Sequence, residues 1–395
     1  MDEITNVLSR GVEKIYPSKE ALEKVLRSGK KLRLYQGFDP SMPSLHLGNL
    51  VGLMKLRQFQ KLGHEVIFLI GDFTGMIGDP TDKLATRVML TREETLKNSQ
   101  TWKEQASKIL AFDGPNPVKI MFNSSWNDKV TFRDLILLTS KFTVQQMIER
   151  DMFQERLKEA KPIYLHEFLY PVAQAIDSVE MDVDLEIGGS DQTFNMLMGR
   201  QLMKSLKEKE KFVLTTKLLV DFQGQKVGKT TGNALFLDSS PEKFYGGIMS
   251  FPDEVIVLGF ELLTEIPFEK EKLEDEVKEN PMKAKKKLAF EIVKLLWGET
   301  AAQKAMEEFE RVFQKGEVPE IVPEIGVKTK GKMKIGDFLV ENKLIPSMAE
   351  AKRLIKNGAV DIETRTINDP KEEILPKDGT VIKIGKNRFV KIRIL

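Results

Sequence analysis

The strongest constraint on this chain is an unbroken apolar run, Val66-Ile67-Phe68-Leu69-Ile70, closed by Gly71. The run is too short for an independent helix, and none of its residues suits a wet face. A strand buried on both faces of a parallel sheet accommodates it. The flanking sequence repeats the theme. Leu32 to Gly37 reads as a short strand ending in glycine. A helix follows, with Leu47, Leu50, Val51 and Met54 on one apolar face and Gly63 suited to its C-terminal cap. Val118 to Phe122 and Val183 to Ile187 read as further strands, the second followed by Gly188-Gly189. This alternation over residues 32 to about 240 predicts an α/β fold, a parallel sheet with helices on both faces.

Residues 123 to about 165 read as a helical, polar-rich insertion between the two halves of that sheet. From 241 to about 315 the pattern is helical and heavily charged. Glu317 to Lys332 carries Pro319, Pro323, Gly326 and Gly331 and reads as a linker. The end of the chain forms a small α+β unit. It has a helix over Ile335 to Asn342 and a second opened by the capping box Ser347-Met348-Ala349-Glu350 and ended at Gly358. Three β-type runs follow, Ala359 to Ile362, Thr380 to Ile384 and Phe389 to Ile394.

Composition removes several function classes. The 395 residues suffice for two or three domains. The chain contains no cysteine, so disulfides, thiolate zinc sites and a cysteine nucleophile are excluded. His46, His64 and His166 are the only histidines and form no metal-ligand spacing, so no metal site is expected. No apolar run reaches the roughly 18 residues of a membrane span, and Met1-Asp2-Glu3-Ile4 lacks the features of a signal peptide. A cytoplasmic location is the expectation. The net charge is only +2, yet it is unevenly spread: residues 328–395 hold sixteen basic and nine acidic residues, a net of +7, which leaves −5 on the rest. A compact basic module behind a linker favours RNA. Lys352, Arg353 and Lys356, on adjoining turns of the capped helix, are its candidate contacts.

Three constellations carry chemistry. Tyr35-Gln36-Gly37-Phe38-Asp39-Pro40 leads from the first strand to His46-Leu47-Gly48-Asn49 at a helix start. In a parallel sheet, ligands bind beyond the carboxyl ends of the strands, and a helix N-terminus there suits phosphate. Lys226-Val227-Gly228-Lys229-Thr230 places two lysines around a glycine, where a closing loop could neutralise a developing pyrophosphate. Tyr170, Gln174 and Asp177 share one helix face, with Pro171 expected to interrupt or kink the helix beside Tyr170.

His46-Leu47-Gly48-Asn49 resembles the HIGH signature of class I aminoacyl-tRNA synthetases, with Asn49 in place of the second histidine. The Lys226 to Thr230 segment resembles the KMSKS loop, with Gly228 and Thr230 replacing its serines. Together with Tyr35, the Tyr170-Gln174-Asp177 set and Gly188-Gly189-Ser190-Asp191-Gln192, these segments resemble the bacterial tyrosyl-tRNA synthetases, and Ile163 to Ser178 resembles their second subtype.

The resemblance implies a Rossmann-like parallel-sheet catalytic domain over 1–240 with its insertion near 123–165. It also implies a helical anticodon-side domain over 241–325 and an αL-type RNA-binding module over 333–395. It implies tyrosine–tRNA ligase activity, with ATP as co-substrate, Mg²⁺ accompanying ATP, tyrosine tRNA as partner, and a homodimer formed through the insertion. Tyr35 and Asp177 would bind the phenolic hydroxyl of tyrosine; Asp79, Tyr170 and Gln174 its ammonium; Gln192 would lie near its carboxylate. Gly37, Asp39, Ser41, His46, Gly48, Asn49, Gly189 and Asp191 would surround ATP. Lys83 and Arg87 would join Lys226 and Lys229 around pyrophosphate, with the Thr230 hydroxyl beside them. A tryptophanyl-tRNA synthetase and a catalytically inactive RNA-binding paralogue are the alternatives. Phenylalanine would leave the partners of the phenol unpaired; its rejection by tyrosine-specific synthetases is the established illustration of that rule.

Overall fold

A computed structural model describes the chain except for residues 1, 82–88, 222, 228–233, 315–321, 323, 329–330, 364 and 386–387, and the side chains of 313–314. The described residues form two compact units, Met1–Ala302 and Gln303–Leu395.

The first unit is built on a six-stranded sheet. Its strands are β1 (Val12–Tyr16), β2 (Arg33–Phe38), β3 (Glu65–Ile70), β4 (Lys119–Phe122), β5 (Leu185–Gly189) and β6 (Phe212–Thr216). Their spatial order is β1-β6-β5-β2-β3-β4. All neighbouring pairs from β6 to β4 are parallel, as the sequence predicts. The exception is β1, which lies antiparallel on β6 at the edge, so the sheet is mixed rather than wholly parallel. β1 and β6 lie outside the strands read from the sequence. Val12-Glu13-Lys14-Ile15-Tyr16 is half polar because it is an edge strand, and Phe212 to Thr216 follows a lysine-rich run that hides its start.

Every residue of β6 is buried, as are five of the six in β3. Successive strand residues point to opposite faces, so both faces of the sheet are covered. Phe38 and Phe68 stack across β2 and β3, with ring centroids 4.7 Å apart.

The helix Leu165–Glu180 runs through Pro171 without ending. The expected interruption does not occur. Packing holds the chain: Tyr170, Pro171, Val172 and Ala173 are all buried, and burial outweighs the one hydrogen bond that proline cannot donate.

Residues 241–302 belong to the first unit, and the compact units part at 302/303. The reason is a dense set of ties. The Arg10 guanidinium donates to the carbonyls of Phe260, Glu261, Thr264 and Ile266, and Lys217 pairs with Glu261.

In the second unit, β9 (Val360–Ile362), β12 (Val381–Ile384) and β13 (Arg388–Ile394) match the three expected β runs, with β7 (Glu324–Val327) parallel to β13. Short strands β8 (Met333–Lys334), β10 (Arg365–Thr366) and β11 (Glu373–Ile374) complete its sheets. The linker reading of Glu317 to Lys332 is therefore corrected at β7. A four-residue strand containing a glycine shows no periodicity in sequence, and only its pairing with Lys391–Ile394 makes it a strand. Helices Ile335–Glu341 and Met348–Lys356 pack their Phe338, Leu339 and Ile355 into a core with Val360, Ile382 and Ile392. Ser347 caps the second helix by accepting from Glu350 N, and Gly358 follows it with φ 63°.

Candidate active site

The strand connections reverse direction between β2 and β5, the place where open α/β sheets hold ligands. Here the sheet also parts. β2 pairs with β3 as far as Phe38 and Ile70, and β5 with β6 as far as Gly189 and Thr216. Between β2 and β5 the pairing stops at Tyr35 and Glu186. Beyond that pair lies a pocket of about 440 Å³.

One wall is the His46 segment. His46 Nδ1 accepts from Asn49 N at 3.3 Å, while Asn49 Oδ1 accepts from His46 N at 2.9 Å. The pair is thus a reciprocal cap on the helix Leu47–Lys61. This geometry accounts for Asn49 without any charge at that position. Gly48 is needed for it: a β-carbon there would stand 2.9 Å from the imidazole Cε1. Residues on the far side of the second signature segment lie against this wall. Leu47 N donates to Leu235 O, and Leu237 N to Leu45 O, both at 2.8 Å. At the near side, Lys226 Nζ donates to Asp191 Oδ2 at 2.6 Å. Lys229 and Thr230, between these two anchors, lie outside the described residues, as do Lys83 and Arg87.

The residues proposed from sequence for the amino acid converge. Tyr35, Asp79, Tyr170, Gln174, Asp177 and Gln192 all line the pocket. Tyr170 OH donates to Asp39 Oδ2 at 2.7 Å, and Thr74 Oγ1 donates to Asp39 Oδ1 at 2.6 Å. Gly71 leaves room for that carboxylate, since a β-carbon would sit 2.1 Å from Asp39 Oδ1. Gln192 donates to Asp79 and accepts from Asn195 Nδ2 at 2.9 Å. Gln174 Nε2 donates to Glu186 Oε1 at 2.9 Å, and its own oxygen is buried without a partner among the described residues. That oxygen and the Asp79 carboxylate, on two residues that line the pocket, are acceptors that can take hydrogen bonds from a cationic donor.

Asp177 is buried and accepts from Trp126 Nε1 at 2.7 Å, Asn127 Nδ2 at 3.1 Å and Asn123 Nδ2 at 3.2 Å. Burial nevertheless pushes its pKa up to about 8, and the negative Glu186 adds to the rise. The Tyr35 hydroxyl is raised well above its ordinary range by burial, and then by the carboxylates of Glu186 and Asp177. Tyr170 is raised likewise by burial and then by Asp39 and Asp79.

Of the residues proposed for the nucleotide, Gly37, Asp39, Ser41, His46, Gly48, Asn49, Gly189 and Asp191 line the same pocket, as does Lys226. The sequence reading misses a second set. Glu186, Ser178 and Lys211 form a buried polar group behind Tyr35, in which Lys211 pairs with Glu186. A signal existed for Glu186, an acid inside the apolar strand Leu185-Glu186-Ile187. None existed for Lys211, which sits in a charged stretch. Trp126, Asn123 and Asn127 reach Asp177 from a segment read only as an insertion.

In the second unit, Lys352, Arg353 and Lys356 are exposed on one helix. Arg353 is held by Glu350, with contacts of 2.9 and 2.6 Å, so part of its charge is satisfied locally.

The family described as tRNA synthetases class I (W and Y) matches residues 27–314, and the tyrosine–tRNA ligase SYY-like C-terminal domain matches residues 308–392. The fold and pocket are those of a class I aminoacyl-tRNA synthetase. The chain is 44% identical over 396 residues to the tyrosine–tRNA ligase of Thermotoga maritima, covering 99% of this chain and 97% of that one. It is 42% identical over 393 residues to that of Aquifex aeolicus, covering 99% and 98%. A C-terminally truncated mitochondrial tyrosyl-tRNA synthetase of Coccidioides posadasii superposes with a TM-score of 0.63 at 25% identity, covering 78% of this chain and 91% of that one. The chain belongs to the tyrosyl-tRNA synthetase family.

Proposed function

We propose that this chain joins L-tyrosine to ATP, releases pyrophosphate, and transfers the tyrosyl group to the terminal ribose of tyrosine tRNA. The observation that carries the reading is the convergence of Tyr35, Asp177, Gln174 and Asp79 on one pocket with the His46–Asn49 cap. The first two residues suit a phenol and the next two an ammonium group. The capped helix start opposite them suits phosphate.

The amino-acid carboxylate attacks the α-phosphorus of ATP, forming the new C–O–P linkage as the bond to pyrophosphate breaks. No protein nucleophile is needed. The protein positions the two substrates and offsets charge as the leaving group departs. Lys226, Lys229, Lys83 and Arg87 are the proposed cations, Thr230 a hydroxyl donor, and Mg²⁺ arrives with ATP. Tyr170 would act through Asp39 and at the ammonium, and Gln192 near the carboxylate.

Three wider proposals go with this. Lys352, Arg353 and Lys356 contact tRNA phosphates. Large apolar side chains exposed on the insertion, Phe132, Ile136, Leu137 and Val144 among them, meet a second copy in a homodimer. A role in translation suits a cytoplasmic location.

Isotope exchange between pyrophosphate and ATP tests the central reading. Tyrosine should support exchange and tryptophan should not. Exchange supported by tryptophan, or by neither amino acid, overturns it.

A further inference from the structure

Behind the Tyr35 hydroxyl lies a chain of polar groups closed off from solvent. Tyr35 OH is 2.9 Å from Ser178 Oγ, and Lys211 Nζ donates to Ser178 Oγ at 2.8 Å. Lys211 also pairs with Glu186, whose other oxygen accepts from Gln174. Tyr35, Ser178 and Lys211 are fully buried and Glu186 is 2% exposed. The space for the ammonium is made by Gly199, in the helix Thr193–Lys207. A β-carbon there would stand 2.6 Å from Lys211 Nζ and 2.8 Å from Ser178 Oγ. A buried ammonium is costly to hold, and here a paired carboxylate and a missing side chain both accommodate it.

The chemistry of these groups allows the chain one direction that ends in the pocket. An ammonium only donates, so Ser178 Oγ accepts from Lys211. Ser178 must then send its own proton elsewhere. Two acceptors lie within its reach, Tyr35 OH at 2.9 Å and Glu186 Oε2 at 3.4 Å, and the shorter of the two contacts is the one that would carry the proton toward the pocket. Once Tyr35 accepts from Ser178, its own proton is left for the pocket. A ligand hydroxyl that accepts this proton has its own hydrogen to give to the Asp177 carboxylate. Only a group that both accepts and donates completes the series.

We propose that Lys211 and Ser178 are positioning residues for substrate selection, orienting the Tyr35 hydroxyl as a donor so that the pocket requires a phenolic O–H. The inference rests on the reading that Tyr35 and Asp177 receive the phenol. It adds that their direction is set from behind by a cation that never touches substrate. Hydrogen bonds aligned head to tail polarise one another, so breaking the series at its closed end weakens it at the open end.

The test is pyrophosphate exchange on the full chain with tyrosine and phenylalanine assayed in parallel. Ser178→Ala removes the link and leaves the Lys211–Glu186 pair. Lys211→Met removes the cation; should it not fold, Ser178→Ala decides. The expected result is a rise of about tenfold in tyrosine KM with ATP KM unchanged, equivalent to one lost hydrogen bond. Phenylalanine kcat/KM should be unchanged, so the preference for tyrosine falls about tenfold. Parallel losses for tyrosine, phenylalanine and ATP would mark a merely structural role and overturn the proposal. So would unaltered discrimination in Ser178→Ala. Failure of tyrosine to support exchange in the unaltered chain overturns instead the pocket reading, and the relay with it.

Discussion

Tyr170 donates its hydroxyl proton to Asp39 Oδ2 at 2.7 Å, joining a helix residue to a strand-end residue 131 positions earlier. The bond joins the side of the pocket proposed for the amino acid to the side proposed for ATP. Tyr170→Phe would remove this bond and keep the one that Thr74 Oγ1 donates to Asp39. Exchange kinetics should show KM rising for tyrosine and ATP together, about tenfold each. A change in tyrosine KM alone would show that the bond does not couple the two.

Asn49 and His46 cap one another at the start of the helix Leu47–Lys61. Asn49→Ala removes half of that cap. Stability should fall by about 1 kcal/mol, seen as a lower denaturant midpoint. Exchange kcat should fall as well, because the backbone donors at the helix start lose their alignment. Asn49→Asp should preserve the cap, since its carboxylate accepts the same backbone bond.

Asp177 titrates near 8 because it is buried, with the negative Glu186 as a lesser cause. Its folded pKa lies above the ordinary value, so its protonated form favours the fold. That contribution is full below about 4 and is lost as pH rises through about 8. Tyrosine binding should run the opposite way. The carboxylate is the stronger acceptor for the phenolic O–H, so tyrosine affinity should weaken as pH falls from 9 to 6, with a midpoint of about 8 in the free protein. Calorimetry in buffers of different ionisation enthalpy should register proton release on tyrosine binding at pH 7. Asp177→Asn should abolish that release and weaken tyrosine far more than ATP.

Lys352 and Lys356 are exposed on the Met348–Lys356 helix, whereas Arg353 is engaged by Glu350. Replacing both lysines with alanine should leave pyrophosphate exchange intact and raise the tRNA KM in charging assays. The salt dependence of tRNA binding should also become shallower by about two phosphate contacts. An unaltered salt slope would remove this helix from the RNA contact.

Phe132 is 78% exposed and Ile136 and Leu137 more than half exposed on the insertion. Phe132→Asp with Leu137→Asp should halve the mass measured by sedimentation equilibrium. A monomeric unaltered chain would exclude the homodimer.

Much of the fold is legible in the amino-acid sequence. The apolar run at Val66 to Ile70 is a buried parallel strand, and Leu47 to Gly63 is a helix with its glycine cap, because local periodicity mirrors burial. The strand β7 could not be read, since four residues carry too little pattern and its identity depends on β13. The ties that hold residues 241–302 to the first unit were equally hidden, because contacts such as those of Arg10 span some 250 positions. At the site, Tyr35, Gln174 and Asp177 could be named from spacing and resemblance. Trp126, Asn123 and Asn127 could not, because each reaches Asp177 across about fifty positions.

Local order alone therefore decided the secondary structure around the pocket and the identity of many residues that line it, because helix and strand periods are short-range. The third dimension decided their chemistry. Lys211 in sequence is one lysine within a charged stretch, of the kind that ordinarily meets water. In the fold it is wholly buried beside Glu186 and Ser178, because Gly199 leaves space for its ammonium. A charge taken out of water acts strongly on its neighbours, and only folding determines which charges are taken out of water.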